Sequence, residues 1–238
     1  MTRLNFFPDE QALALAAAED WLTLARELDR PLSVALSGGR VAKTFFKAAT
    51  VARDSFRLRS AEFFWADERC VPPDHPESNF LLANVNLLQP LGIGAEKIHR
   101  LKGEWPPDSA AAEGSKELRR IAGQDAQGVP VLDLVILGMG EDGHIASLMP
   151  NAVAAVVESW EPYVHVANSA KPPPDRLTLT YPVLRAAQEV WVLISGAGKE
   201  EALRQSLRPD GKTPLARVIQ SRQQTRIYCD LPAGLGAG

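Results

Sequence analysis

A strand-like run, Val135-Ile136-Leu137, passes directly into Gly138-Met139-Gly140-Glu141-Asp142-Gly143-His144, where packing has little use for the residue types present. A histidine titrates near neutrality and can take a proton from water. Asp142 precedes His144 by two residues and can fix the tautomer of its ring. The glycines allow a sharp turn and close approach to a ligand. Open α/β sheets bind ligands beyond the carboxyl ends of their strands, which is where this loop falls. It therefore reads as an active site with His144 as general base, whereas His75, His99 and His165 lack comparable neighbours. The same letters satisfy G-x-G-x-x-G, but two features oppose a dinucleotide. Glu141 and Asp142 would set two negative charges around a pyrophosphate, and the next strand leads to Asn168 and Ser169 instead of an acid.

Other segments also follow strands. Ser37-Gly38-Gly39 precedes a helix, a geometry that serves either as a tight structural turn or as a phosphate cradle of backbone N–H groups. Ala35-Leu36-Ser37-Gly38-Gly39 imitates a serine-hydrolase elbow, but that elbow normally follows several strands, and only one short strand can precede Ser37. Asp67-Glu68-Arg69 either emerges into water or aims side chains into the same crevice, where Arg69 can fork onto a phosphate or a polarised carbonyl. Lys171-Pro172-Pro173-Pro174-Asp175-Arg176 sets two cations around a stiff turn, and Gly196-Ala197-Gly198-Lys199 opens a helix after a buried strand. Each cation, taken singly, suits solvent as well as an anion.

The elements that must position these groups are legible as periodicity. Helical spacing marks residues 9–29, with Leu13, Ala17, Leu24 and Leu28 on one face, and residues 43–52 and 80–88, the last stopped by Pro90. Weaker helical patterns cover 117–121, 145–149, 181–188, 199–207 and 213–220. Strand patterns cover 32–36, 62–66, 132–137, 163–167, 189–195 and 226–229. The alternation predicts one α/β domain over 1–238, with a mostly parallel sheet flanked by helices in three layers and a frayed end over 233–238. A net charge of −3 gives no reason to expect nucleic acid or a membrane surface, so a bound anion needs a local basic cluster. Cys70 and Cys229 show no metal or disulfide spacing, the amino end lacks a secretion signal, and no apolar run approaches ~18 residues. A cytoplasmic protein is expected.

Together these segments resemble the 6-phosphogluconolactonase family, within the wider group that includes glucosamine-6-phosphate deaminases and ribose-5-phosphate isomerases. The resemblance rests on Ser37-Gly38-Gly39, on Trp65-Ala66-Asp67-Glu68-Arg69-Cys70-Val71-Pro72 with Ser78-Asn79, and on residues 138–150. Lys171-Pro172-Pro173, Arg176-Leu177-Thr178-Leu179-Thr180 and Gly196-Ala197-Gly198-Lys199 complete it, in family order. Arg69 stands where deaminases usually carry tyrosine, and Ala146-Ser147-Leu148 is the lactonase-like continuation. The resemblance implies a modified Rossmann-like α/β fold and hydrolysis of 6-phospho-D-glucono-1,5-lactone. By carry-over, His144 activates water, Asp142 supports it, and Arg69 stabilises the oxyanion. Ser37, Gly38, Gly39, Arg40, Asp67, Gly143, Arg176 and Lys199 would face the substrate, most of them at its phosphate and hydroxyl end. No organic cofactor or catalytic metal is expected. The implied partner is a small phosphorylated sugar lactone, bound by a monomer or weak homodimer. Arg40-Val41-Ala42 departs from the usual Thr-Pro continuation, so the phosphate loop is either looser or uses Arg40 instead.

The chemistry suits these residues. A lactone is an activated ester; a positioned base supplies ~10²–10⁴-fold and one oxyanion donor on the order of 10²–10³. No covalent intermediate is needed. Two rivals remain at this stage: an isomerase or deaminase with Asp67 as base at C2, and a non-catalytic sugar-phosphate sensor, to which only Arg40-Val41-Ala42 points.

Overall fold

The computed structural model describes residues 2–169 and 172–233; Lys171 and residues 234–238 of the expected frayed end lie outside them. From the amino end come β1 (Thr2–Phe6), α1 (Glu10–Glu27), β2 (Ser33–Leu36), α2 (Arg40–Val51), β3 (Glu62–Trp65) and the short β4 (Asp67–Arg69). A continuous helical stretch follows: α3 (Asn79–Ala83), a π turn (Asn84–Leu88) and α4 (Gln89–Leu91). Next are α5 (Pro107–Ile121), β5 (Gly123–Gln124), β6 (Pro130–Val131), β7 (Leu134–Gly138), α6 (Ala154–Val157), β8 (Tyr163–Val166) and β9 (Arg176–Leu179). The remainder is α7 (Tyr181–Ala186), β10 (Glu189–Ile194), α8 (Glu200–Leu207), α9 (Pro214–Ser221) and β11 (Thr225–Cys229).

Six strands form a sheet in the order β1-β11-β10-β7-β2-β3, and every pairing in it is parallel. Parallel strands are covered on both faces, and the apolar residues of β2, β7 and β10 are accordingly buried. Part of that cover is α1 packed on α2. Asp9 caps α1 by accepting the Ala12 N–H at 2.8 Å, and Trp21 stacks on Phe45 with ring centres 5.4 Å apart. The chain lays β2 and β3 toward one edge, then returns past β2 to lay β7, β10 and β11 toward the other. This reversal between β2 and β7 opens a crevice at the carboxyl ends of the strands. The loops over residues 37–39, 139–144 and 195–199 leave three adjacent strands and meet there.

A second sheet, β4-β9-β8, is antiparallel and walls one side of the crevice. Residues 163–167, expected among the parallel strands, belong to it as β8, because their partner is β9 and not a strand across a crossover helix. Residues 145–149 form no helix. Ile145 bridges both Met139 and Leu148, and Ala146 takes a φ of 48°. Ile145 and Leu148 are both buried; their three-residue spacing imitates a helical face within a tight turn. The helix expected to stop at Pro90 runs on to Leu91 and ends at Gly92, whose φ of 65° suits a glycine cap. Helix α5 starts ten residues before the expected 117–121, with Ala110, Ala111, Ser115 and Leu118 buried along it.

The β2–β7 junction is pinned where β7 begins. The Asp133 carboxylate accepts the Ser33 N–H and hydroxyl, each at 2.8 Å, and two bonds from Arg30. Burial works to raise this carboxyl, but the Arg30 and Ser33 bonds outweigh it and hold it below its ordinary value. A depressed carboxyl stabilises the fold above its unfolded pKa near ~4, and that contribution is lost as pH falls through the folded value. Asp133→Ala should cost about 1–3 kcal/mol at neutral pH in urea unfolding. The deficit should shrink below about pH 4; one that stayed constant in acid would remove the charge from the explanation.

Candidate active site

A cleft of about 430 Å³ occupies the crevice. Ser37, Gly38, Gly39 and Arg40 line it from the end of β2, and Asp67 and Arg69 from β4. His144 enters after β7, Arg176 from β9 and Lys199 after β10.

The His144 loop is closed by its own backbone: Gly140 N–H meets the His144 carbonyl at 2.9 Å, and Gly143 N–H the Gly140 carbonyl at 3.1 Å. The imidazole lies in the space that a Cβ on residue 140 would fill, so only glycine fits there. His144 Nδ1 is 2.5 Å from Asp142 Oδ1, which also accepts the His144 N–H at 3.1 Å. Burial works to raise the Asp142 carboxyl, but the bonds from His144 prevail and keep it below its ordinary value. A carboxylate has no hydrogen to give, so Nδ1 carries a proton and Nε2 is the ring nitrogen left for the cleft. Asp142 therefore contacts His144 from behind and is not part of the cleft lining. Gly143 is absent from the lining too. With a φ of 80° and Thr213 where its Cβ would be, it shapes the turn.

At the end of β2, Gly39 (φ 101°) begins the twelve-residue α2, whose first N–H groups have no partner within the helix. Ser37 Oγ is buried with no hydrogen-bond partner among the described residues. Arg40 spans to the loop after β10, pairing with Glu10 and reaching the Ser195 carbonyl at 3.1 Å. The absent Thr-Pro is thus answered by a guanidinium clamp. Lys199 stands beside it: burial first, then the Arg40 charge, lowers its amine, while Glu141, Asp230 and Glu10 oppose that.

On the opposite wall, Arg69 and Arg176 are direct partners in the β4–β9 ladder. Like charges so placed repel. Arg69 gives Nη1 to the Glu77 carbonyl at 2.7 Å and its carboxylate at 3.2 Å, and Arg176 reaches the Pro172 and Pro173 carbonyls at 3.4 and 3.3 Å. Burial and then the Arg69 charge lower the Arg176 guanidinium. The anion-binding set expected from the sequence is thereby divided, Lys199 standing with Arg40 and Arg176 with Arg69.

Three positioning residues escaped the residue-by-residue reading. Asn79 Nδ2 bonds the Asp67 carbonyl at 2.9 Å, and Ser147 Oγ bonds Asp67 Oδ2 at 2.7 Å; only their place in the family-like stretches marked them. Glu10 read as a helix-start acid, and no local signal ties it to Arg40. Glu68 supports the wall from beneath. It accepts the Arg69, Asn79 and Phe80 N–H groups, each at 2.7 Å, and the Ser78 hydroxyl at 3.0 Å. Because all four partners donate, Glu68→Gln turns an amide NH₂ against them and should cost about 1–3 kcal/mol in chemical unfolding. A variant as stable as wild type would mean that the four bonds add nothing net.

The model of the glucosamine-6-phosphate isomerases/6-phosphogluconolactonase family matches residues 8–228. A 6-phosphogluconolactonase of Nostoc sp. is 34% identical over 237 residues, covering 97% of this chain and 96% of its own. The chloroplastic 6-phosphogluconolactonase 3 of Arabidopsis thaliana is 32% identical over 209 residues, which take in 84% of this chain and 64% of the plant protein. The crystal structure of a devB protein superposes with a TM-score of 0.88 at 30% identity, covering 96% of each chain. Sequence and fold agree across nearly the whole length, and the chain belongs to the glucosamine-6-phosphate isomerase/6-phosphogluconolactonase family.

Proposed function

We infer that the protein hydrolyses 6-phospho-D-glucono-1,5-lactone to 6-phosphogluconate, the lactone-opening step of the pentose phosphate pathway. One observation carries the reading. His144, its Nδ1 committed to Asp142, opens onto a cleft that has cationic pairs on two walls.

In the reaction, His144 Nε2 takes a proton from water as the water oxygen bonds to C1. The carbonyl electrons collect on oxygen, where the Arg69 and Arg176 guanidiniums supply preorganised donors. Collapse breaks the bond from C1 to the ring oxygen, and that oxygen recovers the proton from the imidazolium. The remote phosphate is received by the Ser37-Gly38-Gly39 loop, the start of α2, Arg40 and Lys199. Its binding energy orients C1 against His144. Asp67, whose carboxylate is held by Asn79 at 3.3 Å and by Ser147 at 2.7 Å, holds a sugar hydroxyl.

The assembly we propose is a monomer or weak homodimer. No helix among the described residues is long and apolar enough to cross a membrane, and free Cys70 and Cys229 suit a reducing compartment. The cytoplasm is the location we propose.

The test is to supply freshly generated lactone and follow 6-phosphogluconate. His144→Ala should lose roughly 10²–10⁴-fold in kcat, and Gly140→Ala, which displaces the ring, should approach that loss. Full activity in His144→Ala ends the mechanism; ammonia release from glucosamine 6-phosphate in place of lactone opening ends the assignment. Lys199→Met should raise KM for the phosphorylated lactone by roughly 10–100-fold, the loss of a hydrogen-bonded charge, and leave the poor turnover of unphosphorylated gluconolactone nearly unchanged. Equal losses on both substrates would move the phosphate elsewhere.

A further inference from the structure

The acid that holds Arg40 belongs to no loop of the cleft. It is Glu10, buried in the first turn of α1, thirty residues earlier in the chain. Its Oε1 accepts the Thr44 hydroxyl at 2.5 Å, and its Oε2 accepts Arg40 Nη1 and lies 2.8 Å from Ser195 Oγ. Arg40 Nη2 then reaches the Ser195 carbonyl at 3.1 Å and hydroxyl at 3.2 Å, close to the path of Gly196, whose N–H is taken by Asp230 at 3.0 Å. The Arg40 side chain is otherwise 66% exposed. An arginine so placed would sample many rotamers without its partners.

We propose that Glu10 is a positioning residue for the phosphate end of the cleft. It holds the Arg40 guanidinium across the gap between the loop after β2 and the loop after β10, so that the cation is already ordered when the phosphate arrives. The inference rests on the phosphate placement given above. Donor counting permits it: a guanidinium has five N–H groups. Glu10 and Ser195 leave Nε–H and the second Nη1 hydrogen for an anion. Arg40 and Lys199 bring two positive charges, and Glu10, Asp230 and Glu141 surround them from α1, the β11 end and the His144 loop. Of the three acids, Glu10 is the one that Arg40 hydrogen-bonds.

The experiment measures calorimetric binding of 6-phosphogluconate and steady-state lactone hydrolysis for wild type, Glu10→Gln, Arg40→Ala and the double variant, with melting temperatures alongside. Glu10→Gln removes the charge and turns one acceptor oxygen into an NH₂ donor, which the Thr44 hydroxyl can accept while the remaining oxygen faces Arg40 and Ser195. It should weaken binding and raise KM roughly three- to ten-fold, the cost of ordering one long side chain at the moment of binding, with a smaller change in kcat. Arg40→Ala should weaken binding more, and adding Glu10→Gln to it should weaken binding no further. If Glu10→Gln does not fold, Glu10→Asp, one methylene short of Arg40, takes its place with the same expectation. Tighter binding in the variant, or the same loss with and without Arg40, overturns the proposal. Wild type that binds 6-phosphogluconate but opens no lactone defeats the hydrolase reading alone, because binding still scores Glu10. Wild type that opens lactone while Glu10→Gln binds like it defeats the Glu10 proposal alone, and wild type that does neither defeats both.

Discussion

Four cations, Arg40, Arg69, Arg176 and Lys199, face one cleft in a chain whose net charge is −3. Their mutual repulsion is the constraint that the surrounding structure answers. Each has its own local acceptor or counter-charge: Glu10 for Arg40, Glu77 for Arg69, prolyl carbonyls for Arg176, and Glu141 with Asp230 near Lys199. These partners hold the cations where all four line the cleft. Two arginines opposed across a β ladder make poor sense as structure. They make good sense around an anionic substrate or a carbonyl oxygen that becomes negative.

The same architecture keeps two neighbouring acids apart. Glu141 and Asp142 adjoin in the chain, yet the tight turn sends Glu141 toward Gly198 and Asp142 onto the His144 ring. The two carboxylates thus take separate partners. One balances Lys199, and the other fixes the tautomer of the base. The sheet supplies the spacing. Because β2, β7 and β10 are adjacent and parallel, their loops deliver a helix N-terminus, an imidazole and an ammonium to a single crevice. The antiparallel β4–β9 pair then closes it with arginine.

Much of this was legible before any coordinates. His144 and Asp142 stand two residues apart, so one turn can join them, although whether Asp142 meets the ring or a substrate was decided by the fold. The parallel sense of β2, β7 and β10 follows from buried apolar strands separated by helices, and Gly39 and Gly140 mark places where the backbone admits no larger residue. Short-range pattern failed where it served two masters. Ile145 and Leu148 have helical spacing but close a turn, and Tyr163–Val166 has strand pattern without saying which sheet or direction it takes.

What the sequence by itself determined is the set of chemical groups and the local turns that aim them. Only the tertiary structure decided which groups share a wall: Arg69 with Arg176, Lys199 with Arg40, and Arg40 with Glu10. Ser195 and Glu10 meet across 185 residues of chain. Such contacts depend on strand order and register, which are set by how the whole apolar core closes, and no local spacing of residues encodes them.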